Sequence, residues 1–314
     1  MRTIRFTRTR RFGMAATSVL LGTMLAACGS TASTTATATS TSPGTTGMSG
    51  MAGMSASASQ SGMSGMSGMD EPMYTGTGLS AAASGFTLVP TVAFTALPAG
   101  KAVPLSFRIE DSSGMAVTSF EDDQTKLMHF YIVRSDLSGF QHVHPTMAAD
   151  GTWTASLAAM APGTYRAYAS FITKNSSGTP TALVLSKQFT VAGAASTTTL
   201  PSAASSAEVD GYTVTLAGDL MAGMEHTLTA TITKNGKPVT DLQPYLDTYA
   251  HLTAFHQGDM AFAHLHPQGT VNGDHGGPTL TFDAMMAASG NYRLFLQFQT
   301  GGMLHTAAIT LHVS

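Results

Sequence analysis

The chain repeats itself, and the repeat limits what it can fold into. Gly85-Phe86-Thr87 matches Gly211-Tyr212-Thr213, and Leu105 to Ile109 matches Leu228 to Ile232. His142-Val143-His144-Pro145 matches His264-Leu265-His266-Pro267, and Pro162-Gly163-Thr164-Tyr165-Arg166 matches Ser289-Gly290-Asn291-Tyr292-Arg293. From Gly114/Gly236 to Pro145/Pro267 the copies align without a gap, after which copy two has a longer Gly-rich loop around Gly273 to Gly277. The repeat predicts two domains, residues 85–193 and 208–314, joined by an Ala/Ser/Thr linker over 194–207.

Each copy carries short runs of alternating β-branched and aromatic residues, such as Leu105 to Ile109, Phe130 to Val133, Tyr165 to Ile172 and Tyr292 to Phe298. Gly, Asp, Asn and Ser clusters punctuate them, and no long helical period is present. The pattern predicts an all-β chain of two tandem immunoglobulin-like β-sandwich domains. A single Cys excludes a disulfide framework, so apolar burial must hold each sandwich together.

The histidines carry the chemical signal. His129 is followed by His142 and His144, and His251 at the same spacing by His264 and His266. Two residues at i and i+2 on a strand share a face, and the third His comes from the preceding strand. If each segment is a hairpin turning at Asp136-Leu137 or at Gly258-Asp259, Tyr131 lies opposite His142 and His129 opposite His144. In copy two, Phe255 then faces Phe262, Thr253 faces His264 and His251 faces His266. Each trio is cofacial, and imidazoles so placed can converge on copper, zinc or nickel. Met128 and Met147 are further candidate ligands in copy one, and His305 is one in copy two. The competing reading is structural: packed imidazoles, with HxHP as a corner where proline ends the strand. Trp153, with Leu280 as its counterpart, reads as core, and Glu121-Asp122-Asp123 reads as a solvated loop. No Ser-His-Asp elbow, phosphate loop or HExxH is present, so no enzyme activity is expected.

The N-terminal part is of another kind. Residues 2–11 hold five arginines, Gly13 to Leu25 is apolar, and Leu25-Ala26-Ala27-Cys28-Gly29 follows. This resembles a bacterial lipoprotein signal, which implies cleavage after residue 27, lipidation of Cys28 and an anchor on the extracytoplasmic face of the cell membrane. Loss of that segment leaves ten basic against 18 acidic residues, a balance that argues against nucleic acid as a partner. Residues 28–84 read as a disordered tether rich in Ser, Gly and Met, spanning roughly 40 Å. Met48, Met51 and Met54, and again Met63, Met66 and Met69, recur at every third position. Their soft thioethers suit Cu(I).

The run Asp136-Leu137-Ser138-Gly139-Phe140-Gln141-His142-Val143-His144-Pro145, with Asp150-Gly151-Thr152-Trp153 and Pro162-Gly163-Thr164-Tyr165-Arg166, resembles a family of secreted, largely actinobacterial β-sandwich lipoproteins labelled YtkA-like or heavy-metal-associated. More loosely it is similar to periplasmic copper carriers of the CopC type. The resemblance implies a fold and a compartment. The expectation is therefore a lipoprotein that binds a copper ion, or zinc, through its His trios and Met tether, for sequestration or for delivery to an envelope protein. Metal binding should weaken as ligand imidazoles take up protons. The alternative is a metal-free immunoglobulin-like surface module.

Overall fold

The computed structural model describes Tyr74, residues 76–91, Phe94 and residues 96–314. Cys28 and the methionines from Met48 to Met69 lie outside the described residues. The alternating runs form strands, every strand pair is antiparallel, and no helix occurs among the described residues. The first half comprises β1 (Ala82–Ala83), β2 (Phe86–Pro90), β3 (Val103–Glu110), β4 (His129–Arg134), β5 (Gln141–Val143), β6 (Thr146–Met147), β7 (Trp153–Leu157), β8 (Gly163–Lys174) and β9 (Pro180–Val191). Its sheets, β1-β2-β3-β7-β6 and β5-β4-β8-β9, enclose a core that includes Phe107, Phe130, Trp153 and Phe171.

The second half comprises β10 (Ser206–Val209), β11 (Tyr212–Ala217), β12 (Glu225–Lys234), β13 (Lys237–Pro238), β14 (Ala250–His256), β15 (Phe262–Pro267), β16 (Thr279–Met285), β17 (Gly290–Thr300) and β18 (Met303–Val313). Here β15 pairs with β14 through Leu265 and with β16 from His266, so one sheet folds over it to make both faces of the sandwich. In the first half the same crossing is interrupted. β5 pairs with β4, β6 pairs with β7, and His144-Pro145 lies between them. The chain changes sheet within the HxHP segment in both halves; Pro145 lies outside a strand, whereas Pro267 is the last residue of β15 and still pairs with Phe282. The chain is all-β, with two tandem immunoglobulin-like sandwiches.

The expected hairpin register holds where the strands pair. Tyr131 lies opposite His142, Thr253 opposite His264 and Phe255 opposite Phe262. The turns are wider than the two-residue loops expected. In copy two the His256 N–H donates to the Ala261 carbonyl at 2.9 Å and Met260 takes φ 65°, making Gln257 to Met260 the loop. In copy one the Arg134 N–H donates to the Ser138 carbonyl at 2.8 Å, and Leu137 and Gly139 take positive φ. The pairing His251–His266 is replaced by His266 opposite Asp283, because β15 has already left β14.

Both faces of β4 and β14 are buried. One face of each lines its own sandwich. The other meets its counterpart across a seam formed by Tyr131, Val133, Leu137, Tyr168 and Val184 from the first half and Phe255, Met260, Phe262 and Phe295 from the second. The Phe140 and Phe295 rings stack at 4.1 Å, and the Tyr168 hydroxyl donates to the Met260 carbonyl at 2.5 Å. At about 1.5–3 kcal/mol for each large apolar side chain removed from water, such a face is a main source of stability.

Tyr74 and residues 76–84, which composition assigns to the tether, belong to this structure. Ala82–Ala83 is a strand, and the Phe262 N–H donates to the Thr77 carbonyl at 2.8 Å. Gly78, at φ 64°, lies between the halves, where an added Cβ would come within 2.9 Å of Val184 and 3.2 Å of Phe262.

The linker is fastened by Asp136. Its carboxylate accepts from Arg134 at 2.9 and 2.6 Å, from the Ser138 hydroxyl at 2.6 Å and from the Thr198 N–H at 2.7 Å. Burial pushes this carboxyl up, but the Arg134 and Ser138 hydrogen bonds outweigh it and hold the carboxyl below the usual range. Removing one member of a buried ion pair leaves the other uncompensated. Asp136→Ala is expected to cost about 3 kcal/mol in denaturant unfolding and to expose the linker near Thr198 to protease. An unchanged midpoint would show that the carboxylate holds neither turn nor linker.

Candidate metal centre

Strand alternation decides where each predicted ligand points. On β4, Phe130 and Ile132 enter the first core, while His129, Tyr131 and Val133 face the seam. His142 lies opposite Tyr131 and so shares the seam face. On β14, Leu252 and Ala254 enter the second core, and His251, Thr253 and Phe255 face the seam with His264. The two trios therefore belong to one cluster. The His251 ring lies 5.4 Å from His129, 4.9 Å from His142 and 5.1 Å from His264.

Other candidates fall elsewhere. Met128 is buried in the first core, on the opposite face from His129, and Met147 packs against that core. His305 bonds Thr300 at 3.0 Å and Asp210 at 2.7 Å, beside Tyr212 and Phe298. Trp153 is core, as expected. While Asp122 is exposed as expected, Asp123 overturns the solvated-loop reading at its own position. It is 3% exposed, its carbonyl meets the His129 ring, and its carboxylate accepts from the Tyr74 hydroxyl.

Within the cluster the trios differ. The ligand nitrogens of His129, His142 and His144 all lie within 4.8 Å of one another, the one such group among the described residues. Their hydrogen bonds decide where the protons sit. His129 Nε2 lies 3.0 Å from the Asp123 carbonyl oxygen, which only accepts, so Nε2 carries the proton. With the Gln297 amide placed so that Oε1 faces His142 Nδ1 at 2.7 Å, Nδ1 carries the proton. The Gln297 amide donates the other way, to Thr306 Oγ1 at 3.4 Å. A neutral imidazole has one N–H. In that orientation His129 Nδ1 and His142 Nε2 are both bare, and they face each other at 3.0 Å. Two lone pairs at that distance repel unless a cation lies between them. His144 Nε2 is also buried without a partner.

His251 is different. Its Nδ1–H donates to Gln124 Oε1 at 2.8 Å, and its Nε2 accepts from the Tyr131 hydroxyl at 2.9 Å. Both nitrogens are spoken for, so this ring joins the halves and is no ligand in this arrangement. His264 is the converse, with both nitrogens buried and neither bonded. His266 packs 4.8 Å from it, and Tyr74 packs against both rings. Sequence reasoning missed Asp123, Gln124, Tyr131 and Gln297. The available signal was Gln297 itself, a polar residue amid the apolar run from Leu294 to Phe298.

Burial disfavours the charged ring at five of these histidines. It lowers His142, His251 and His264 well below the usual histidine range, and neighbouring imidazoles add to the effect. Burial brings His144 down to about 3. Burial lowers His129 too, partly opposed by Asp123. All five are therefore neutral, the state that ligates metal.

The sequence matches one protein family twice, the family described as "Domain of unknown function (DUF8832)", over residues 85–187 and 207–314. No curated protein matches the chain. Among solved structures it is similar to InvD of Yersinia pseudotuberculosis, with 16% identity and TM-score 0.25 over 74% of this chain and 58% of that one. It is similar to a Salmonella alpha-2-macroglobulin reacted with methylamine, with 12% identity and TM-score 0.25 over 78% and 16%. It is also similar to the D0-D1 domain of intimin, with 14% identity and TM-score 0.21 over 72% and 96%. The chain spans less than two thirds of the first two. At these scores the assignment of the fold rests on the strand order itself.

The depressed histidines make a prediction for the metal-free protein. Their unfolded value is 6.5 and their folded values lie lower, so below that pH the unfolded chain binds more protons. The stability they contribute is complete above 6.5 and is lost as pH falls toward the folded values. The melting temperature should drop between about pH 6.5 and 5, above the carboxylate range. A flat profile over that interval would show that the rings are not held neutral.

Proposed function

The chain belongs to the DUF8832 family, with two copies of its domain, and we propose that it binds one late transition metal ion at His129, His142 and His144. The observation that carries this reading is the convergence of three ligand nitrogens within 4.8 Å of one another, with His129 Nδ1 and His142 Nε2 facing each other at 3.0 Å. Ligands about 2.0–2.1 Å from a tetrahedral centre lie little more than 3 Å apart, so an ion fits with small ring movements. The partners on the far nitrogens, a backbone carbonyl and an amide oxygen, are of the kind that orient metal-bound histidine. An all-imidazole set suits copper first and zinc or nickel as alternatives. Placed outside the membrane on a Cys28 anchor, with a Met tether suited to Cu(I), such a site would sequester copper or pass it on.

A second reading is a metal-free interaction module. It is favoured by the apolar part of the seam, where Tyr168, Phe255, Phe262 and Phe295 join the halves with no need of an ion.

Titration with Cu(II) and with Zn(II) separates the two, since neither ion is soft enough to favour the thioethers. The metal reading expects one tightly bound equivalent and a rise in melting temperature. His129→Ala, His142→Ala and His144→Ala should each weaken binding more than the roughly 10–100-fold that a supporting residue supplies. His251→Ala should lower stability yet keep the equivalent. If the unmodified protein shows no stoichiometric binding and no thermal shift, the metal-free module stands.

A further inference from the structure

The halves meet about a pseudo-twofold axis, and its defects are informative. His129 and His251 are equivalent in the repeat, and their rings stack on each other at 5.4 Å and 9°. A residue that meets its own counterpart marks the axis. Phe140 packs on Phe295 at 4.1 Å, and their counterparts Phe262 and Tyr168 pack at 5.6 Å. His142 should then reach the residue opposite His251, and His264 the residue opposite His129. The first contact is made, because the residue opposite His251 is Gln297, which accepts from His142 at 2.7 Å. The second is not, because the residue opposite His129 is Ser170. The serine hydroxyl and both nitrogens of His264 are buried without partners. A serine side chain is two bonds shorter than a glutamine and falls short of the ring.

Resting on the metal-binding reading, we infer that Gln297 is the positioning residue that assigns the ion to the first trio. It acts from the second domain by fixing the His142 proton on Nδ1 and so aiming the Nε2 lone pair at His129. The site is therefore incomplete in the first domain alone. The second trio, with Ser170 in the matching place, has no such director and does not converge. The two trios are thus unequal, with a glutamine opposite His251 and a serine opposite His129.

Two substitutions in the full chain test this, with Cu(II) alone as probe. Gln297→Met keeps the length and removes the acceptor, whereas Gln297→Glu keeps an acceptor in place. We expect Gln297→Met to weaken Cu(II) binding roughly 10–100-fold and to alter its electron paramagnetic spectrum, with Gln297→Glu restoring both. Equal affinity and spectrum in both variants, with the unmodified protein binding normally, would overturn the role of Gln297 and leave the metal site standing. No binding by the unmodified protein would instead remove the reading beneath it. Heteronuclear NMR of the metal-free imidazoles gives a measurement independent of variant folding. His142 protonated on Nδ1 supports the assignment, and His142 protonated on Nε2 overturns it.

Discussion

One face of the β5-β4-β8-β9 sheet is buried against the equivalent face of the second sandwich, and the rest follows from that contact. A lone sandwich would turn this face to water, where a histidine is solvated and unconstrained. Pressed against its repeat, the face loses water, its imidazoles stay neutral, and each nitrogen must find a partner in protein. His251 finds two, Tyr131 and Gln124. His129 and His142 spend their one proton each on fixed acceptors and turn bare nitrogens toward each other. Dehydration and geometry together set these residues apart from ordinary surface histidines.

Unsatisfied polar atoms gather at the same place. Asp123 Oδ1, His144 Nε2, Ser170 Oγ, Thr253 Oγ1 and both nitrogens of His264 are buried without partners. Native interiors leave few such groups, so their concentration around one cluster sets this region apart from the apolar seam beside it. Thr253 shows the same shortfall as Ser170. Its counterpart Tyr131 reaches across to His251, while the threonine is too short to reach His129.

Much of the fold was legible. Period-two runs gave the strands, and the repeat gave two sandwiches of one kind. The Tyr131–His142 and Thr253–His264 pairings followed from spacing alone, because strand alternation leaves no freedom in register once one face is buried. The turns were misjudged because Met260 and Leu137 accept left-handed backbone, which residue preferences do not announce. The meeting of the two trios was not legible at all. It depends on how one sandwich docks on the other, and sequence spacing carries no information across a linker. Asp123 was misread for a similar reason. An acidic run looks solvated until Tyr74, 49 positions earlier, is seen to close over it.

The segment that precedes the first sandwich threads between the halves, with Thr77 bonded to Phe262 and Gly78 wedged against Val184 and Tyr168. Displacing that segment would therefore break contacts with both sandwiches at once. Because Tyr74 packs on His264 and His266 and bonds Asp123, the same displacement would uncover one side of the imidazole cluster.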